Sequence, residues 1–357
     1  MAIGADALRD NNANFNLAIG FRVLFMNSTG KHLTGIGAAA LRNNTTADFN
    51  TAIGADALRE NSTGEKNTAS GADALAQNTI GDFNTANGSS ALSSNTAGRG
   101  NTAVDASALL NNASGSTNTA TGISALFANT HGSFNTAIGD AALAANTDAD
   151  RNTAVGALAL NDSAGFRNTA IGFDAGHNVT TASNVICIGS NVDGANVNNS
   201  CFIGNIRDIQ TQNADGIAVL VDSAGQLGTV SSSRRFKKEI EPMDKTSEAV
   251  LALKPVTFHY KTDTKGIPQF GLVAEEVAEV NPDLVVRDKN GEIYSVRYDA
   301  VNAMLLNEFL KEHRKNEEQG AMIAQQQKQI EALTAGLQKV SAQLEASKPA
   351  PQVVNNP

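Results

Sequence analysis

The sequence of 357 residues predicts a mainly β protein, in which a solenoid of stacked 17-residue repeats precedes a small α+β domain and a C-terminal coiled coil. Three observations support this prediction. An Asn-Thr-Ala block recurs with a fixed period, the repeat and its composition stop at Ser231, and apolar residues recur every seven positions from Phe309. Fixed periods of these kinds are typical of repeat folds and of coiled coils.

The repeat defines residues 1–205 as a solenoid head. The block begins every 17 residues from Asn50 to Asn152 and once more, after 16, at Asn168, with degenerate copies at Asn16 and Leu33. We expect a short Thr-Ala-Ile strand turned by Gly, ladders of stacked Asn and Thr, and a narrow core of Ala and Leu. The segment that carries the Ala-Leu pair fits either a strand or one helical turn.

The head has too few large side chains for a thick core. The chain has no Trp and only 3 Tyr, and a turn offers one Leu, one Ile or Val and a few Ala. At about 25 cal/mol per Å² of buried apolar area, this gain barely offsets the backbone entropy of about 1–2 kcal/mol per ordered residue. Three chains around one axis would bury more area per residue, so we expect a homotrimer.

Charge and cysteine content argue against several kinds of partner. The net charge is −9, and residues 1–230 hold 10 Lys/Arg against 18 Asp/Glu, which disfavours nucleic acid and anionic membranes. No apolar run is long enough for a membrane span, and no spacing resembles a metal or cofactor site, so we expect none of these. Cys187 and Cys201 are one residue out of step in successive repeats, so their thiols should face opposite sides without a disulfide.

Residues 206–230 are predicted to form a connector with a β-hairpin and a Gly-containing turn. Five motif blocks then occupy residues 231–315. They are Ser-Ser-Arg-Arg-Phe-Lys-Lys-Glu-Ile (232–240), Leu-Ala-Leu-Lys-Pro-Val-Thr-Phe-His-Tyr (251–260), Gly-Leu-Val-Ala-Glu-Glu-Val (271–277), Asn-Pro-Asp-Leu-Val (281–285) and Val-Arg-Tyr (296–298). In this order they resemble the intramolecular chaperone domain of endosialidases and other phage tailspikes, which also occurs in myelin regulatory factor.

This resemblance implies a trimerisation chaperone that acts as a single-turnover, self-cleaving serine endopeptidase. By the family pattern, the scissile bond joins Ser231 and Ser232, Ser232 is the nucleophile, and Lys237 is the base if its amine is desolvated enough to be neutral. The five-residue offset places the pair on no common helix face, so the two side chains must meet across a turn or between two chains. Ser233 replaces the family Asp and is a competing nucleophile, and an uncleaved trimerisation cap is the alternative.

Residues 316–346 are predicted to continue as a trimeric coiled coil. One core position holds Phe309, Asn316, Ile323, Ile330, Leu337 and Leu344, and the other holds Gln319, Gln326, Leu333 and Val340. Ile and Leu mixed with buried Gln or Asn favour three parallel strands. The alternative is an amphipathic helix that packs on its own domain. Residues 347–357 are expected to form a disordered tail.

The head repeats resemble those of trimeric autotransporter adhesins and the Asn-Thr-Ala repeats of bacterial tail fibres, so we expect a β-roll by analogy. These resemblances imply an extracellular structural or adhesive fibre, on a phage virion or cell surface, with a host or surface receptor or a glycan as partner. Two alternatives are a tailspike that degrades carbohydrate, for which the head lacks Trp, Tyr and an insertion large enough for a site, and a membrane-anchored regulator. No secretory signal is visible and Met1 falls within a repeat, so we expect a truncated N-terminus.

Overall fold

The computed structural model describes residues 1–207, 209, 211, 215–288 and 290–347. The chain divides into two units, Met1–Gln210 and Thr211–Pro357. The first is a β-solenoid of about 12 turns, as the period predicted. Its strands stack in chain order into one parallel sheet. They are β1 Ala2–Ile3, β2 Leu17–Ile19, β3 Thr34–Ile36, β4 Thr51–Ile53, β5 Thr68–Ser70, β6 Thr85–Asn87, β7 Thr102–Val104, β8 Thr119–Thr121, β9 Thr136–Ile138, β10 Thr153–Val155, β11 Thr169–Ile171, β12 Ile186–Ile188 and β13 Cys201–Ile203.

Strands β2 to β13 are three residues long, and in β2 to β12 the central residue is the buried one. In β4, Ala52 is fully buried whereas Ile53 is 44% exposed. Gly54 then ends the strand with φ 140°, a conformation that side chains rarely adopt. A Cβ atom at Gly54 would also lie 2.3 Å from the carbonyl oxygen of Gly71 in the next turn, so this position needs glycine.

The segment that carries the Ala-Leu pair is neither a strand nor a helical turn. It is a run of turns in which Asp56 and Leu58 adopt left-handed φ angles of 55° and 51°. The segment rounds a corner and still bonds to the next turn, since the Leu58 amide donates to the Ala74 carbonyl at 3.0 Å. The left-handed residues let one short segment both turn the chain and hydrogen-bond to the next turn. A regular strand or helix of this length could not do both.

Leucine and alanine columns fill the interior, as predicted. The column of leucines from Leu24 to Leu160 is buried, and so are the residues at the Ala52 and Ala57 positions of the same turns. The cysteine prediction is also confirmed, because Cys187 is buried, Cys201 is exposed and both are free thiols. In the sheet register, Cys187 pairs with Phe202 and Ile186 with Cys201.

Two columns of buried asparagines connect the turns. In one column, Asn78 Nδ2 donates to Asn61 Oδ1 at 2.7 Å, and Asn95 Nδ2 donates to Asn78 Oδ1 at the same distance. In the other, the Asn67 amide donates to Asn50 Oδ1 at 2.8 Å. The first column repeats this bond from Asn27 to Asn146. The asparagine part of the predicted ladders is therefore confirmed.

The second unit is a small α+β domain. It contains the strands β14 Leu220–Val221, β15 Leu227–Gly228, β16 Val256–Phe258, β17 Gln269–Gly271, β18 Val285–Arg287 and β19 Ile293–Val296, and the helices α1 Ala274–Val280 and α2 Tyr298–Ala346. Three 3₁₀ segments are η1 Arg234–Phe236, η2 Asp244–Ala252 and η3 Pro282–Leu284. Consecutive strands pair in three antiparallel hairpins, and β14–β15 is the predicted connector hairpin. The small core includes Val250, Val277, Leu284 and Met304.

Helix α2 runs without a break across the predicted boundary at residue 316. Its first turns bury Val301 and Met304 in the domain core. Beyond them the heptad side chains face outward, with Ile323 64% and Ile330 56% exposed. No helix of the described ranges is long and apolar enough to span a membrane. Ser347 caps α2, and residues 348–357 of the expected tail lie outside the described residues.

A single interior asparagine should be essential for head stability. Asn95→Ala removes the donor to Asn78 Oδ1 and the acceptor for Asn112 Nδ2. We expect the free energy of unfolding of the head to fall by about 2–4 kcal/mol, since each orphaned buried group costs about 1–3 kcal/mol. Guanidinium unfolding followed by far-UV circular dichroism measures this. The matched control is Asn87→Ala, whose side chain is exposed. Equal losses in the two variants would contradict the role of the ladder.

Candidate functional site

The short segment η1 brings the two predicted catalytic side chains together. The Phe236 amide donates to the Ser233 carbonyl at 3.0 Å and the Lys237 amide to the Arg234 carbonyl at 3.1 Å, which closes a tight turn. Across this turn, Lys237 Nζ lies 3.0 Å from Ser232 Oγ. This contact spans a turn within one chain, which is one of the two arrangements that the sequence left open.

The neighbouring serine and lysine are placed differently. The Ser233 amide donates to Ser231 Oγ at 3.3 Å, and no described residue makes a hydrogen bond to the Ser233 hydroxyl. Lys238 instead lies 3.8 Å from Glu239 in an exposed ion pair. Both residues therefore serve as matched controls for Ser232 and Lys237.

The Ser232–Lys237 pair is open to solvent in the single chain. Both residues are exposed, and so are the apolar side chains around them, including Val230, Phe236 and Ile240. Phe236 is 65% exposed, and its ring lies 4.7 Å from the Arg235 guanidinium. Burial disfavours the charged form of an amine, so a further surface that excludes water would favour base chemistry at this site.

A polar cluster that sequence reasoning missed joins η2 to α2. The hydroxyl of Ser247, a buried residue, accepts from Asn307 Nδ2 at 2.7 Å and from Lys311 Nζ at 3.2 Å, and donates to Glu308 Oε1. Lys311 Nζ also lies 2.7 Å from Glu308 Oε1 and from the Asp244 carbonyl. Only the spacing of Glu308 and Lys311 on one helix face was visible in the sequence, because Ser247 is 61 residues from Glu308.

The cluster also affects ionisation. The hydrogen bonds from Lys311 and then from Ser247 hold the pKa of the Glu308 carboxyl below its usual range. Asn307 and Lys311 of α2 both donate to the Asp244 carbonyl of η2, at 3.3 and 2.7 Å, so the cluster joins α2 to η2. Among the residues that the structure describes, no group of three or more His, Cys, Asp or Glu could hold a metal ion.

Comparison with known proteins gives one match. Residues 232–286 match the family model described as the chaperone of endosialidase, and the match begins at Ser232 itself. Searches of curated proteins and of solved structures found no match. The predicted chaperone domain is thereby confirmed, although the match ends in β18, before the expected end at residue 315. The chain thus combines a repeat solenoid with a C-terminal region similar to this chaperone family.

The stability of the second unit should depend on the ionisation of Glu308. A carboxyl whose pKa is lower in the folded than in the unfolded chain stabilises the fold at any pH above the unfolded pKa. This stabilisation is lost as the pH falls through the pKa of the folded state. Glu308→Gln should therefore lower the melting temperature at pH 7 and make little difference at about pH 3. All three Tyr lie in this unit, so tyrosine fluorescence reports its melting in the full chain.

The matched control is Glu312→Gln, an exposed carboxylate on the same helix that pairs with Lys315 at 3.8 Å. It should change the melting temperature little at either pH. A Glu308→Gln effect that is the same at both pH values would contradict an electrostatic role for this carboxylate.

Proposed function

We propose that this protein is a structural or adhesive trimeric fibre whose C-terminal unit assembles three chains and then cuts itself off between Ser231 and Ser232. The observation that carries this proposal is the 3.0 Å contact of Lys237 Nζ with Ser232 Oγ, at the first residue of the region matched to the endosialidase chaperone. An extracellular or virion surface, with a receptor or a glycan as partner, suits such a fibre.

The proposed reaction needs only the two side chains and one water molecule. Lys237 Nζ takes the proton of Ser232 Oγ, and the oxygen attacks the carbonyl carbon of Ser231. The bond from that carbon to the Ser232 nitrogen breaks, an ester to Oγ forms, and the nitrogen receives the proton from Lys237. Water then hydrolyses the ester and leaves a carboxylate at Ser231 and a free amine at Ser232.

Assembly would activate the pair by removing water. Lys237 is exposed in one chain, and removal of water by a neighbouring chain would favour the neutral amine that accepts the hydroxyl proton. The apolar side chains of Val230, Phe236 and Ile240 around it are exposed too and are suited to be covered by a neighbouring chain. Cleavage would then follow correct assembly, and an unassembled chain would stay intact.

The exposed stripe of α2 supplies a means of assembly. Ile323, Ile330, Leu337 and Leu344 recur every seven residues along a helix of 49 residues, and all are exposed in the single chain. At about 1.5 Å per residue the helix is about 73 Å long, and its far end has no domain to pack against among the described residues. A parallel three-stranded coiled coil would bury this stripe.

Of the serines and lysines in this segment, Ser232 and Lys237 should be the ones on which cleavage depends. On a denaturing gel, the wild-type chain should yield a fragment of 231 residues, and Ser232→Ala and Lys237→Ala should stay intact, since the first lacks the nucleophile and the second the base. Ser233→Ala and Lys238→Ala should cleave as the wild type does. N-terminal sequencing of the small fragment should begin at Ser232. A wild-type chain that assembles and stays intact would contradict self-cleavage and support the alternative, an uncleaved trimerisation cap.

Cleavage should also depend on the heptad stripe. Ile330→Asp places a charge in the proposed coil core, more than 90 residues after the scissile bond, and should reduce the cleaved fraction at least about tenfold. Glu331→Ala, on the neighbouring position of the same helix, should leave cleavage unchanged. Full cleavage in Ile330→Asp would show that the dyad acts without the coil and would contradict activation by assembly.

A further inference from the structure

One turn of the head is a residue shorter than the turns directly before and after it, and a surface cavity lies beside it. Four residues separate Ser163 from Asn168, whereas five separate Asn146 from Asn152 in the preceding turn. The register nevertheless continues across the deletion, because Thr153 pairs with Thr169. The cavity next to this corner has a volume of about 410 Å³, and its wall includes Phe166 of the shortened turn.

Two arginines without carboxylate partners line this cavity. The register places Arg151 and Arg167 at equivalent positions of adjacent turns, where parallel strands are about 4.8 Å apart. Neither makes an ion pair with a carboxylate in the part of the chain that the structure describes. Other arginines of the head do pair with carboxylates: Arg9, Arg22, Arg59 and Arg99. Like charges at equivalent positions of adjacent turns repel each other, and an anion bound beside both would offset this repulsion.

The rest of the cavity wall supplies further hydrogen-bond donors. Ser183 Oγ accepts from the Phe166 amide at 3.0 Å, so its hydroxyl proton remains for another partner. Asn198 Oδ1 accepts from the Ser183 amide at 2.7 Å, and Asn199 Oδ1 accepts from Asn184 Nδ2 at 2.8 Å. The Nδ2 groups of Asn198 and Asn199 donate to no described residue. The cavity thus offers donors in excess of acceptors.

We propose that this cavity, the arginine notch, binds one acidic sugar residue. The two guanidinium groups would hold its carboxylate or phosphate through charge-assisted hydrogen bonds. The amides of Asn198 and Asn199 and the Ser183 hydroxyl would bind ring hydroxyls, and the Phe166 ring, 46% exposed, offers an apolar face to the sugar ring. The one carboxylate of the wall, Asp150, already accepts from the Ser133 amide at 2.7 Å.

The position of the notch in a head of negative charge gives it selectivity. Most of the head surface would repel an anion, so a bound acidic sugar should be confined to the notch. The volume of about 410 Å³ is in the range of small-molecule sites and suits a single sugar unit. Binding would also relieve the repulsion between Arg151 and Arg167, so the head should melt at a higher temperature with ligand present.

Calorimetric titration of the full chain tests the notch. Galacturonate oligomers carry the carboxylate, glucose 6-phosphate carries a phosphate, and galactose oligomers are the neutral reference. At least one of the two acidic ligands should bind, more weakly at higher salt, and galactose oligomers should not. Which acidic ligand binds assigns the anion. Binding of neither, or equal binding of the neutral oligomers, would overturn the proposal.

Charge-neutral variants locate the site. Arg151→Gln and Arg167→Gln should each weaken binding about tenfold, because each loses a charge-assisted hydrogen bond, and the double variant should abolish it. The matched control, Arg42→Gln, removes one positive charge elsewhere in the head and should bind within about twofold of the wild type. Unchanged binding in Arg151→Gln and Arg167→Gln, with wild-type circular dichroism, would overturn the proposal. The gel assay of Ser232 is independent, so failure here leaves self-cleavage untouched.

Discussion

The head depends on the satisfaction of buried asparagine amides from one turn to the next. Its core of Ala and Leu buries little apolar area per turn. An unpaired amide in that core would cost about as much free energy as the burial of one turn contributes. Asn61, for example, donates to Asn44 Oδ1 at 3.0 Å and to the Gly64 carbonyl at 2.9 Å, and accepts from Asn78. Each turn therefore satisfies its neighbours only if it repeats their conformation, including the left-handed φ at Phe49, Asp56 and Leu58.

The same constraint explains where the regular solenoid is interrupted. Ser163 replaces the ladder asparagine, and Asn146 Oδ1 and Asn152 Nδ2, both buried, have no hydrogen-bond partner in the described part of the chain. The shortened corner and the arginine notch lie at this same turn. A uniform ladder gives a uniform surface, so a surface that differs from turn to turn requires a local departure from the ladder.

Sequence periodicity predicted the head well because each turn repeats one set of contacts. The strand at Thr51–Ile53, the burial of Ala52 and Leu58 and the opposite faces of the cysteines all follow from the period. The sequence did not predict the conformation of the corner at Asp56–Leu58, because left-handed Asp and Leu have no sequence signature. At the site, the resemblance to the family motif predicted Ser232 and Lys237. Only the structure shows that the turn at η1 brings their side chains to 3.0 Å. Ser247 was missed because its partners are distant in sequence.

The central claim is that three chains assemble through the C-terminal unit, and the mass of the particle in solution tests it most directly. The Ser232→Ala chain, which should keep the unit attached, can be measured by light scattering at micromolar concentration. We predict the mass of three chains of 37.0 kDa each. A mass of one chain would contradict the trimeric fibre, the coiled coil and the activation of the Ser232–Lys237 pair by assembly.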